Sequence, residues 1–140
     1  MKLINYSLTI FLALVLTVYA YEKKDRPKDA SLYIISPKDG ETVSGKFKIQ
    51  FGLAGMGVAP AGVKMPKTGH HHLLLDMKEM PNMDSPLPKS ENLKHFGGGQ
   101  TEAEIELKPG THTLQLLLAD ENHVPHKSAL LSKKIKIYVK

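Results

Sequence analysis

"TEAEIELKPGTHTLQLLLAD", Thr101 to Asp120, alternates apolar and polar residues on both sides of a Lys-Pro-Gly break. Ala103, Ile105 and Leu107 oppose Glu102, Glu104 and Glu106; beyond the break, Leu114, Leu116 and Leu118 take the inward phase. Successive side chains of a strand point to opposite faces of its sheet, so a period of two marks a half-buried strand. Pro109 and Gly110 supply a tight turn between the two runs.

The same alternation recurs along the chain. "SLYIIS" (31–36) runs into the turn residues "PKDG". In "KFKIQFGL" (46–53), Phe47, Ile49, Phe51 and Leu53 face one way and Lys46, Lys48 and Gln50 the other. "SKKIKIYV" (132–139) ends the series with Ile135, Ile137 and Val139 inward. No stretch sustains a helical period, and the nine prolines and eleven glycines gather between the runs. Short alternating strands separated by turn signals predict an all-β fold: an immunoglobulin-like antiparallel β-sandwich with long loops at one pole. A small β-barrel is the competing architecture. In immunoglobulin lettering, A is 31–36, B 46–53, C 70–76, E 101–107, F 111–120 and G 132–139, with D or its substitute inside 77–98. The predicted core is Phe47, Ile49, Phe51, Ile105, Leu114, Leu116, Leu118, Ile135 and Ile137.

Ahead of this domain (31–140), residues 1–20 read as a secretory signal peptide. Lys2 is followed by an apolar stretch from Leu8 to Val18 and by "VYA", an A-x-A-like cleavage sequence ending at Ala20. The apolar run is short for a membrane span, and an uncleaved anchor is the alternative. Residues 21–30 are expected to form a flexible leader. The chain has no cysteine, which excludes a lipoprotein signal, disulfides, thiol chemistry and cysteine-based metal sites. Residues 1–20 hold one of the 19 basic residues and none of the 14 acidic ones, so the mature charge is +4. With no arginine-rich or aromatic-interleaved stripe, nucleic acid is not an expected partner. The expected location is the periplasm or the medium.

"TGHHHLLLD" (68–76) places three histidines at the head of strand C. In immunoglobulin topology the B–C, D–E and F–G loops open at one end. His70, His71 and His72, His95 in "KHFGGGQ", and His123 and His126 in "DENHVPH" all fall at that end; His112 falls at the other. Along the strand, His70 and His72 share a face with Leu74 and Asp76, while His71 shares the other with Leu73 and Leu75. That makes His71 the candidate for a buried, hydrogen-bonded residue and His70/His72 the pair available to a ligand, although "LLL" is apolar on both faces and the reverse stays open. Imidazoles suit Zn²⁺ and Cu²⁺, and three or four must meet around the ion. The candidate ligands are His70, His72, His95, His123 and His126, with Asp120 (or Asp76) as oxygen ligand or supporting carboxylate. The competing account is a histidine network that hydrogen-bonds the backbone of the long loops 54–69 and 77–98. Met77, Met80 and Met83 in the second loop read as packing filler. "GMG" (55–57) and "GGG" (97–99) suit positive φ or close backbone approach.

"SPKDGETV", "GMGVAPAG", "TGHHHLLLD", "HFGGGQTE", "HTLQLLLAD" and "HVPH" together resemble an exported bacterial family characterised as a domain of unknown function, over about Leu32 to Val139. The resemblance implies a small periplasmic or secreted β-domain and carries no activity. The lysine-rich stretch Lys78 to Lys94 departs from the family's usual look.

Two functional expectations follow. One is an exported metal-binding protein using copper or zinc; the other is a non-metal module that recognises a protein partner or an envelope glycan. An enzyme is not expected, because no G-x-S-x-G, H-E-x-x-H or paired-carboxylate pattern is present.

Overall fold

The computed structural model describes residues 21–140, so the signal-peptide reading of 1–20 lies outside the described residues. The described chain is all-β, with ten strands: β1 (Ser31–Ser36), β2 (Thr42–Val43), β3 (Lys46–Ala54), β4 (Gly57–Val58), β5 (Thr68–Leu75), β6 (Leu93–His95), β7 (Glu102–Glu106), β8 (Gly110–Ala119), β9 (Pro125–Leu131) and β10 (Ile135–Val139).

They form two open sheets in a sandwich. The smaller has the order β1-β3-β7; the larger runs β2-β10-β8-β5-β4, with β6 added to β5 and β9 to β8. The five alternating runs and the histidine–leucine run all contain strands, and they divide between the sheets as A, B, E against C, F, G. The chain turns at Pro109–Gly110 from β7 in one sheet to β8 in the other. That turn is an inter-sheet corner, because β7 pairs only with β3 while β8 pairs with β5, β9 and β10.

Leu32, Ile49, Phe51, Leu73, Leu75, Ile105, Leu114, Leu116, Leu118, Leu130, Ile135, Ile137 and Val139 fill the space between the sheets. Eight of the nine predicted core residues are buried there, and Phe47, nearer the edge, is partly buried against them. Across the small sheet's outer face, Lys46–Glu104 and Lys48–Glu102 form exposed cross-strand pairs at 2.7 Å. Pairs of that kind contribute little to stability.

The larger sheet also buries its outer face. Leu74, Leu93, Leu117 and Ala119 form a second apolar cluster there, covered by Leu87 with Met77 and Met83 packed against it. The segment 77–92 therefore folds back over the sheet; Met77 and Met83 pack there as expected, whereas Met80 is exposed. The sequence reading had assigned only one phase of β8 inward.

Two further expectations need correction. Two strands, β9 (Pro125–Leu131) and β10 (Ile135–Val139), follow one another along this edge of β8, where a strand G over 132–139 alone was expected. Between them, Ser132 accepts the Leu116 N–H on its hydroxyl (2.8 Å) while donating its own N–H to the Leu116 carbonyl (3.0 Å). β9 occupies much of the expected F–G loop. The leader 21–30 is not a free tail either. Tyr21 donates its hydroxyl to Asp120, Lys24 pairs with Glu121, the Lys24 carbonyl accepts the Lys127 N–H (2.8 Å), and Arg26 Nε donates to the Ser128 carbonyl (2.6 Å).

A four-histidine centre on the outer face of the larger sheet

His70 and His72 lie two residues apart on β5 and point to the outer face, in line with Leu74. β6 pairs antiparallel with β5 in a register that sets His95 directly opposite His72. Directly opposed residues of an antiparallel pair share a face, so this register delivers the third imidazole. The fourth comes from the loop after β8. Asp120 caps that loop, accepting the N–H groups of Asn122 (2.9 Å) and Val124 (3.0 Å) on one carboxylate oxygen. His123 is held at a φ of 64°, in the left-handed region. A non-glycine residue there is strained by on the order of 1–3 kcal/mol, and such strain gathers at ligand-holding positions. The Leu87 N–H donates to the His123 carbonyl at 2.9 Å, tying the covering segment to the same loop.

The four rings meet. His70 Nε2 lies 3.0 Å from His123 Nδ1 and 3.0 Å from His95 Nε2. One ligand atom from each of His70, His72, His95 and His123 lies within 4.8 Å of all the others. His70 and His72 are buried, whereas His95 and His123 are partly exposed, so the group opens to solvent on the side of the latter two. Burial pushes the His70 pKa down to about 4, helped by repulsion from His95 and His123. Burial pushes His72 to about 3, with His70, His95 and His123 adding to it. His95 is lowered by the same causes: burial first, then His123 and Lys89. At neutral pH these three rings are neutral, the form that ligates metal.

The remaining histidines stand elsewhere. His71 points inward, as read from the strand, and its ring lies 5.0 Å from that of Phe51. The expected hydrogen bonding is not found, since neither ring nitrogen completes one. Burial lowers its pKa to about 4 against a weak opposing pull from the Gln100 backbone. His126 lies on β9 and is buried, but it is not one of the four clustered residues. Its pKa is lowered by burial, with Asp120 opposing. Asp120 is also outside the group; its carboxylate is occupied by the loop N–H groups and the Tyr21 hydroxyl. Of the six candidate ligands, four come together, and His126 and Asp120 do not join them. His112 is separate, as expected, bonded to Asp76 at 2.7 Å.

The placement differs from the expected rim. His70 and His72 were expected at the head of a strand and the other ligands in loops at a pole, yet His95 too sits on a paired strand, and the site occupies one end of a sheet face. The signal that locates it is the β5–β6 register, which links residues 23 positions apart and has no trace in local periodicity.

Among the described residues, no helix is long and apolar enough to cross a membrane. No curated protein and no solved structure matches the chain. A family model does match, over residues 49–140, which includes all four clustered histidines. The chain belongs to the family described as Domain of unknown function (DUF4399).

Proposed function

We propose that the protein is an exported, non-catalytic metal-binding protein whose centre is formed by His70, His72, His95 and His123, taking Cu²⁺ or Zn²⁺. The observation that carries this reading is the pair of 3.0 Å contacts made by a single nitrogen, His70 Nε2. An imidazole nitrogen offers one in-plane proton or one lone pair, so it cannot complete two full hydrogen bonds. Ligands about 2.0–2.1 Å from a shared tetrahedral ion stand roughly 3.3 Å apart, so small shifts would accommodate one. An all-imidazole donor set suits copper or zinc and is a poor match to calcium or magnesium, which prefer oxygen.

The competing account is a purely structural hydrogen-bond network. His70 Nδ1 and His72 Nδ1 are buried without a partner. The His70 Nδ1 costs about 1–3 kcal/mol under either account, because Nε2 is the atom that faces the cluster. Export and cleavage after Ala20 complete the proposal. They rest on the basic, apolar and "VYA" segments of residues 1–20.

Titration of the tag-free protein with Cu²⁺ and Zn²⁺ in a calorimeter tests the reading. One ion per chain is expected, with binding lost in His72→Ala and His123→Ala and retained in His112→Ala and His126→Ala. If the two cluster variants lower the melting temperature equally with and without metal, the cluster is structural.

A further inference from the structure

Gly97 follows His95 by two residues, in the turn leading out of β6, and has no part in the ligand set. We infer that Gly97 is a positioning residue for the centre: the missing side chain leaves the space in which the His95 ring stands, and so keeps Nε2 against His70. The inference rests on the metal-binding reading above for its consequence, though not for its geometry.

A Cβ added at Gly97 would lie 2.3 Å from His95 Cε1, 2.8 Å from Nε2 and 3.2 Å from Nδ1. Carbon atoms prefer separations of about 3.5–4.0 Å, so the imidazole and a methyl group cannot both occupy this volume. The atoms struck belong to a rigid ring and include the nitrogen that faces His70.

Backbone conformation does not account for the glycine. Gly99 has a φ of 78°, which itself favours glycine, but Gly97 is not among the residues with positive φ. An alanine at 97 would meet no conformational penalty of that kind. What it would meet is His95.

The backbone here is also poorly able to retreat. The Gly97 carbonyl accepts the Ala61 N–H at 2.8 Å, and the Phe96 N–H donates to the His71 carbonyl at 3.1 Å. Phe96 is itself buried in the main core, its ring 4.8 Å from that of Phe51. His95, by contrast, is partly exposed and can swing toward solvent. The ring would yield before the chain, and the centre would lose its third imidazole while the fold remained.

Gly97→Ala and Gly98→Ala in the full mature chain test this. Position 98 is the control: a Cβ there approaches only the flexible Gln100 amide, at 3.2 Å. Gly97→Ala is expected to keep the wild-type circular dichroism and to weaken Cu²⁺ and Zn²⁺ binding by about tenfold or more, the scale seen when a ligand's support is removed. The Cu²⁺ electron paramagnetic resonance spectrum should show one fewer coordinated nitrogen, and Gly98→Ala should behave as wild type. Equal affinity and nitrogen count in Gly97→Ala, with wild type binding normally, would overturn the inference and leave the metal reading intact. If wild type binds no metal, the metal reading fails, and nuclear magnetic resonance of the metal-free protein still decides the geometry. A nuclear Overhauser effect between Gly97 Hα and His95 Hε1 is expected in wild type. Its absence overturns the inference, and this remains so if Gly97→Ala does not fold.

Discussion

His112 and His72 carry the same side chain and are driven in opposite directions by what surrounds them. Partial burial pulls the His112 pKa down, but the Asp76 carboxylate and the Lys108 carbonyl outweigh it and raise the value above the ordinary histidine range. Its Nδ1 lies 2.7 Å from Asp76 and its Nε2 2.9 Å from Lys108, so the protonated ring donates on both sides. His72 has burial and three imidazole neighbours against it, which outweigh the opposing pull of the His70 backbone. For His112 the raised folded pKa means a stabilisation fully present below the unfolded value near 6.5. It is lost as pH rises through the folded value. His112→Ala is therefore expected to destabilise by on the order of 1 kcal/mol at pH 5.5 in urea denaturation, and by less at pH 9. An equal loss at both pH values would show that the charge on the ring is irrelevant. The isolation of His112 was legible in the sequence, because it opens a strand at the far end from the other histidines. The exclusion of His126 was not, because its place depends on β9, whose alternation is broken by Lys127 and Ser128.

At the scale of elements, β5 and β8 are unusual in being buried on both faces. "HHHLLL" and "LQLLLA" have too many consecutive apolar residues for a strand with one wet face, and the structure gives each phase a separate partner. Leu73 and Leu75 enter the main core, while Leu74 joins Leu117 under the covering segment. Leu116 and Leu117 are adjacent, on opposite faces, and both fully buried. Leu116→Ala and Leu117→Ala should each cost about 2–5 kcal/mol in urea denaturation, whereas Lys48→Ala, which breaks an exposed pair, should cost far less. A Leu117→Ala loss no larger than that of Lys48→Ala would mean that residues 77–92 do not cover the sheet. Alternation located β8 to within one residue, and the histidine–leucine run located β5 to within two. Neither could say that their second faces are covered, since the cover comes from a proline-rich segment with no period of its own.

For the molecule as a whole, three consecutive buried histidines set the response to acid. Burial pushes His70 and His71 down to about 4 and His72 down to about 3 in the folded state, against the ordinary histidine value of 6.5. Between those limits the unfolded chain binds more protons than the folded one, so stability falls as pH falls. The chelator-treated protein should have a constant contribution from these groups above pH 7 and a falling melting temperature from about pH 6.5 to 4. With Zn²⁺ at a hundred times its Kd at pH 7.5, about 2.7 kcal/mol should be added, and that gain should shrink as pH falls through about 4 and then about 3, where protons take the His70 and His72 nitrogens. Differential scanning fluorimetry across pH, with and without metal, reads both effects. A chelated protein with the same melting temperature at pH 4 and pH 7 would contradict the burial of the three rings.

By itself the sequence determined the all-β class, six strand positions, most of the main core and a set of six ligand candidates that includes the four clustered histidines. These are properties of short stretches: a period of two reports which side of a strand meets water, whatever the strand pairs with. Only the tertiary structure decided which histidines meet. His72 faces His95 because β6 adds to β5 in one register, and a slip by one residue would turn His95 to the other side. His123 arrives because Asp120 holds its loop in a left-handed turn, and the face is dry because residues 77–92 fold over it. Pairing register and loop closure are contacts between distant parts of the chain, and local alternation carries no record of them.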